Sequence, residues 1–352
     1  MENEFVCVSE SPVCEGLEAV VIKDDNAYYF SLMDNYGGRA LTMLWLCNRI
    51  AAPEDWETDR PGSFVLPRRY VGHDPAGMEL DEELRIVWYA SGDCAALFDR
   101  HGLLAAIPPY AQFGEMTGYS RYIAEPCRYG YPLAQDTGEA VESWLHVAQR
   151  QWSAVRSEED WQQIDSAYRE IYTQFAGAPE HCLHLQQDAL PHRRLYMSRK
   201  QGICYNLSIG MAQLELPYVW HVYGKECMQH ARMEIGFACA EKYAAAADRM
   251  VPVMDMIVQM PWDERDYLGH GHTIDINPEI LPGYTGLLLL DASQIKGMPC
   301  PELPHILRCP NHLHWLVPVK DRELRLLRSG EDGLPKFLRS VIFPEAVHIF
   351  NG

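Results

Sequence analysis

At 352 residues the chain is long enough for two domains, and 47% hydrophobic with 22% charged residues is ordinary globular composition. The 30 basic and 49 acidic residues leave a net charge of −19, which argues against a nucleic-acid binder, because phosphate contacts need clustered Lys and Arg. The acidity is uneven: residues 1–180 carry 30 acids and 13 bases (−17), and residues 181–352 carry 19 and 17 (−2), as expected of two units with different surfaces.

In chain order, residues 1–25 are acidic, weakly patterned and read as an arm. Their start, MENEFVCVSE, has neither the basic nor the apolar region of a secretory signal. Residues 27–33 form a short strand. Residues 41–50 are apolar, and their length and flanks leave helix and strand both open. Residues 53–62 are a polar loop. The stretch 85–108 then reads as an antiparallel meander: strands over 85–90, 94–99 and 103–107, with Gly-containing turns between them and Pro108-Pro109 as the stop. Residues 110–132, rich in Gly, Pro and Tyr, read as an ordered loop. Tyr110, Tyr119, Tyr122, Tyr129 and Tyr131 crowd there, suited either to partner contacts or to packing within the loop.

Two helices follow. Val141, Trp144, Leu145, Ala148 and Trp152 recur at helical spacing over 139–155, and Trp161, Ile164, Tyr168, Ile171 and Phe175 over 158–175. Ser157 before Glu158, Glu159 and Asp160 is an N-cap with acids in the first turn, and Gly177 and Pro179 end the second helix. The domain boundary falls between 135 and 180, giving an acidic α/β domain with the meander over 1–135, connecting helices over 136–178, and a mixed α+β domain over 179–346.

The organising pair of the second half is 204–211 and 232–239. In the first, Tyr205, Leu207, Ile209 and Met211 alternate with Cys204, Asn206, Ser208 and Gly210. In the second, Met233, Ile235, Phe237 and Cys239 alternate with Arg232, Glu234, Gly236 and Ala238. Each is a half-buried strand, and the two are expected to share a core. Residues 241–260 are helical, with Pro252 as a kink or restart. Residues 286–290 are an apolar strand. Leu313, Trp315, Val317 and Val319 alternate with His312, His314, Leu316 and Pro318. Asp321 is placed to cap a helix carrying Leu324 and Leu327, and 335–342 adds a last helical turn or two.

Chemistry is sparsely written. His270 with His272 and His312 with His314 are spaced for one face of a strand, and His181 and His184 flank Cys182, yet a metal site needs a third ligand, and neither HExxH nor paired CxxC occurs. There is no GxSxG elbow, Walker loop or GxGxxG turn, and triples such as Cys204, Cys227 or Ser208 with His221 and Asp255 arise by chance in a chain with 14 His and 11 Cys. The scattered, odd-numbered cysteines fit free thiols in a reducing, cytoplasmic setting, and no apolar run is long enough to span a membrane.

Four stretches resemble the Suppressor of Fused domain: Ser208-Ile209-Gly210-Met211, Arg232-Met233-Glu234-Ile235, the Gly-His loop 269–273 with Pro278, and the strand 313–319 followed by the helix start 321–324. Two departures stand beside them. Ala212-Gln213 occupies a place that is often Ser-Asp in the family, and Lys320 one that is Thr. Residues 85–132, with LLAAIPPY and GYSRY, resemble the companion region of bacterial Suppressor of Fused-like proteins. The resemblance implies an α+β fold of mixed and antiparallel sheets flanked by helices. It also implies a non-enzymatic protein that binds a toxin domain or an extended peptide, in bacteria as an immunity protein. No cofactor and no nucleic-acid or membrane partner is expected. Strand addition is the expected physical mode. The partner contacts expected are Met211, Gln213 and Tyr223 at or after the strand end, with His270 and His272 on the Gly-His loop. A metal-assisted hydrolase built on His270, His272, His312 and His314 is the alternative, and a scaffold working through the first domain alone is a third reading.

Overall fold

Apolar and alternating runs pair into three sheets among the described residues, and the fold is α+β. The computed structural model describes residues 4–56, 65–111, 116–186 and 190–352. The chain divides into two units, Met1–Arg150 and Gln151–Gly352.

In the first unit, β1 (Glu4–Glu10), β2 (Leu17–Lys23), β3 (Ala27–Asp34) and β4 (Arg39–Asn48) form an antiparallel sheet in chain order. Over its described residues, from Glu4 to Lys23, the expected arm is therefore a hairpin. Its second strand lies between β1 and β3 and buries Ala19, Val20, Val21 and Ile22, so it shows a run where a half-buried strand would alternate. The ambiguous stretch 41–50 belongs to β4, with Trp45, Leu46 and Cys47 fully buried.

The meander is present as β5 (Arg85–Trp88), β6 (Ala95–Asp99) and β7 (Gly102–Ile107). The short β8 (Tyr119–Ser120) and β9 (Tyr131–Pro132) extend this second sheet. Tyr119 packs edge-on between Tyr110 and Tyr131, with ring centroids 6.4 and 6.5 Å away, so these tyrosines serve loop packing. Residues 57–62 of the expected polar loop and 112–115 of the Tyr-rich stretch lie outside the described residues. Helix α1 (Gln135–Val155) sets Val141 and Leu145 against Val87, Tyr89, Cys94 and Leu103 of the meander.

The division of the chain thus falls inside α1, and the helices expected to connect two domains are parts of them. In the second unit α2 (Glu158–Ala176) begins as read: the Asp160 N–H donates to Ser157 Oγ at 3.2 Å, and Gly177 ends it at φ 91°.

The strands β10 (Pro179–Leu185), β11 (Arg193–Lys200) and β12 (Ile203–Ile209) lead to α3 (Val219–Tyr223), β13 (Met233–Ala240), α4 (Ala244–Ile257) and α5 (Met260–Glu264). After β14 (Thr273–Asp275), β15 (Gly286–Asp291) and β16 (His312–Val319) come α6 (Asp321–Leu327), α7 (Gly333–Ser340) and β17 (Ile349–Phe350). One sheet runs β10-β11-β12-β13-β16-β15-β14, and β17 pairs with β13. The α6 cap differs from expectation. Asp321 is the first helical residue, and the Lys320 N–H donates to Glu323 Oε2 at 2.7 Å.

The registers explain why both faces of this sheet are covered. Asn206 opposes Phe237 and Leu207 opposes Gly236. Residues opposite one another share a face, so the apolar rows of β12 and β13 point to opposite sides. The two strands do not share one core, as the sequence pattern suggested; they line two. Leu207 and Ile209 join Trp161, Tyr168 and Tyr172 of α2, Trp315 of β16 and Leu324 and Phe337 from α6 and α7. On the other side lies α4, held by a hydrogen bond from Asn206 Nδ2 to the Ala247 carbonyl at 2.8 Å. No helix among the described residues is long and apolar enough to cross a membrane.

Candidate functional site

The sequence-derived contact residues separate into two places in the second unit. Met211 and Gln213 lie in the turn that follows β12, and this turn is inside the protein: Met211 is 1% exposed and Gln213 3%. Gly210 adopts φ 103°, a left-handed conformation, and a Cβ there would collide with the His192 carbonyl, so only glycine fits. Two side chains, Glu234 of β13 and Arg232 just before it, grip the turn. The Glu234 carboxylate accepts from the Gly210 N–H at 2.8 Å, the Ala212 N–H at 3.2 Å and the Ser208 hydroxyl at 2.5 Å. The Arg232 guanidinium, fully buried, donates to the Ala212 and Gln213 carbonyls at 2.9 and 2.8 Å, and to Gln151 Oε1 at 2.6 Å. One charge therefore takes the turn's N–H groups and the other takes its carbonyls, as buried charges require. Burial pushes the Glu234 carboxyl above its usual range, against the hydrogen bonds that favour its charged form. Met211 and Gln213 are accordingly held as structure and are not presented to a partner.

Tyr223, His270 and His272 come together elsewhere, and His312 and His314 come with them. Tyr223 ends α3 and stacks on His230, with ring centroids 3.7 Å apart and 17° between planes. His230 stacks in turn on His312 at 6.2 Å. The Tyr267 hydroxyl lies 3.4 Å from that of Tyr223, and its ring meets His272 edge-on at 5.4 Å. His270 Nδ1 accepts from the Asp291 N–H at 3.0 Å. His314, opposite Asp291 across β15 and β16, is 5% exposed, and its Nδ1 has no hydrogen-bond partner among the described residues. Along the chain next to members of this array, Val222, which precedes Tyr223, and Met228, two residues before His230, are 46% and 40% exposed.

Asp291 organises the array. Its Oδ1 accepts from the Ser293 N–H at 2.9 Å and hydroxyl at 2.7 Å, and its Oδ2 lies 3.3 Å from His312 Nδ1. Burial pushes the Asp291 carboxyl up, but the His312 hydrogen bond, the nearby His314 and the Ser293 bond outweigh it and hold it well below the usual range. The hydrogen bond to Asp291 raises His312. Burial lowers His230, His270 and His272, and takes His314 down to about 4.

Ser293, His312 and Asp291 do not compose a hydrolytic triad. The nucleophile and the carboxylate must sit on opposite ring nitrogens, whereas the Ser293 hydroxyl, 3.2 Å away, and Asp291 both face His312 Nδ1. No three His, Cys, Asp or Glu side chains among the described residues are grouped to hold a metal ion. What the arrangement offers is a set of packed aromatic and imidazole rings, with two exposed apolar side chains adjoining Tyr223 and His230 in the chain.

Sequence reasoning missed His230, Tyr267, Asp291, Val222 and Met228. A signal existed for Asp291, an acid that closes the wholly apolar run 286–290 and so must be paired when buried. Compared with known proteins, the chain matches no family model, no curated protein and no solved structure.

Proposed function

We propose that this chain is a non-enzymatic polypeptide-binding protein of the bacterial Suppressor of Fused-like type, working in the cytoplasm as an immunity protein that neutralises a toxin domain by binding it. The observation that carries the reading is the exposure of Val222 and Met228, which adjoin the stacked Tyr223 and His230 in the chain. Apolar groups beside rings already held in place can be desolvated by a partner with little further loss of side-chain freedom. Tyr223, His270 and His272 remain in the contact set; Met211 and Gln213, being buried, leave it. Eleven free cysteines support the cytoplasmic placement.

The test is affinity capture from extracts of the source cell, with the native protein and with the double variant Val222→Asp, Met228→Asp as baits. The expected outcome is a partner that is recovered by the native bait, lost with the variant, and toxic when expressed alone but harmless when co-expressed. A partner retained equally by both baits assigns binding to another surface, and recovery of no protein removes the reading.

A further inference from the structure

The eight-stranded sheet has a slot in its middle. β13 pairs with β16 only from Met233 to Gly236. Beyond Gly236, whose Cβ would meet the Trp315 ring at 2.8 Å, β16 continues against β15 alone, and the facing edge of β13 is left without a partner strand from β16. β17 fills the gap. Ile349 pairs with Ala238 and Phe350 with Cys239, in parallel.

The walls of the slot are aromatic. Phe350 packs against Phe237, Tyr243 and Tyr284, with ring centroids 6.2, 5.5 and 5.2 Å away. His348, 1% exposed, lies on Trp315 at 4.7 Å. Gly352, at φ 90°, passes so close over Tyr243 that a Cβ would collide with its ring. The segment is attached through an exposed tether, in which Ile342 is 85% and Phe343 63% exposed, and the β17 residues are themselves only half-buried.

We propose that this slot is a receptor for an extended segment of another polypeptide, and that residues 347–352 are its occupant in cis, displaced when a partner supplies a better one. A two-residue ladder offers few main-chain hydrogen bonds, so affinity depends on the side chains, and the walls specify them. The segment reads planar ring, aliphatic, aromatic, polar residue, glycine, as in the chain's own His348-Ile349-Phe350-Asn351-Gly352. A tethered occupant acts at an effective concentration of the order of millimolar, which masks the slot from weak segments and leaves it open to strong ones. This site is distinct from the Val222 and Met228 surface.

The experiment uses the full chain with a specific protease site introduced in the tether at 342–346, and a fluorescent peptide of residues 347–352, VHIFNG. After cleavage of the folded protein the labelled peptide is expected to exchange into the slot and bind at least tenfold tighter than to the uncut chain, and the peptide carrying Phe350→Ala at least tenfold weaker. Equal binding to cut and uncut protein, or a cut protein of unchanged circular dichroism that takes up no peptide, overturns the proposal. Should cutting unfold the chain, the uncut Phe350→Ala variant must take up the native peptide at least tenfold tighter than the native chain does, and no gain overturns the proposal. A dimer of the native chain that Phe350→Ala converts to monomer assigns the slot to a second copy and likewise overturns it. The Val222→Asp, Met228→Asp variant is expected to leave peptide uptake unchanged, so failure here and failure of the surface reading are told apart.

Discussion

The turn after β12 and the Gly-His loop before β14 look alike in sequence: each is short, carries glycine and follows or precedes a strand. In the protein they do opposite things. The first is gripped by Glu234 and Arg232 and lies inside, while the second brings His270 and His272 to Asp291 and Tyr267, whose hydroxyl lies near that of Tyr223, the chain neighbour of the exposed Val222. The difference comes from the neighbours. A turn opposite two buried charges is a fastening, because those charges need its backbone groups as much as it needs them.

The comparison breaks most readily at the fastening. Glu234→Ala removes the acceptor of two N–H groups and one hydroxyl and leaves buried donors unpaired. A loss of about 3–5 kcal/mol in urea unfolding is expected, and a loss below about 1 kcal/mol would contradict the fastening. Met211→Ala, in the same turn, is expected to cost about 2–5 kcal/mol as a core truncation while leaving partner capture intact at temperatures where the variant is folded.

Acid probes the other region. His314 is lowered from 6.5 to about 4, so the folded state favours its neutral form. Its contribution is fully present above pH 6.5 and is lost as pH falls toward 4, by about 3 kcal/mol at the lower end. His230, His270 and His272 are lowered too and act in the same direction. His312 opposes them: it is raised by Asp291, so its contribution is present below 6.5 and lost as pH rises through its folded value. Asp291, held down, contributes above 3.8 and loses that contribution only at more acid pH than this window. Stability measured by denaturant from pH 7 to 4.5 is therefore expected to fall, and to fall less in His314→Leu. An identical slope in that variant would show that His314 does not carry this pH dependence.

The smallest expected effect on stability is at the exposed surface. Val222→Asp with Met228→Asp should change unfolding free energy by less than about 0.5 kcal/mol each. A larger loss would mean that these side chains hold the fold and would erase the contrast between the two regions.

Much of the second unit was legible from alternation, because strands and amphipathic helices write their period into the chain. Ser157, the acids after it and Gly177 marked α2 at both ends. What alternation could not convey was register. β12 and β13 each alternate, yet only their pairing, Leu207 opposite Gly236, puts their apolar rows on opposite sides of the sheet. The hairpin β1–β2 was missed because its buried second strand shows an apolar run among acids. The candidate site was half legible. Tyr223 and the histidines were marked by their residue type, and the structure gathers them, but Met211 and Gln213 were marked by place along the strand, which says nothing of burial. His230, Tyr267 and Asp291 come from distant segments, and nothing local announces that they meet.

Affinity capture by the native protein and by the Val222→Asp, Met228→Asp variant, quantified by mass spectrometry, tests the central claim most directly. The account expects one protein partner, enriched at least tenfold by the native bait and lost with a variant that unfolds at the same denaturant concentration. Equal enrichment by both baits, or none by either, would contradict it.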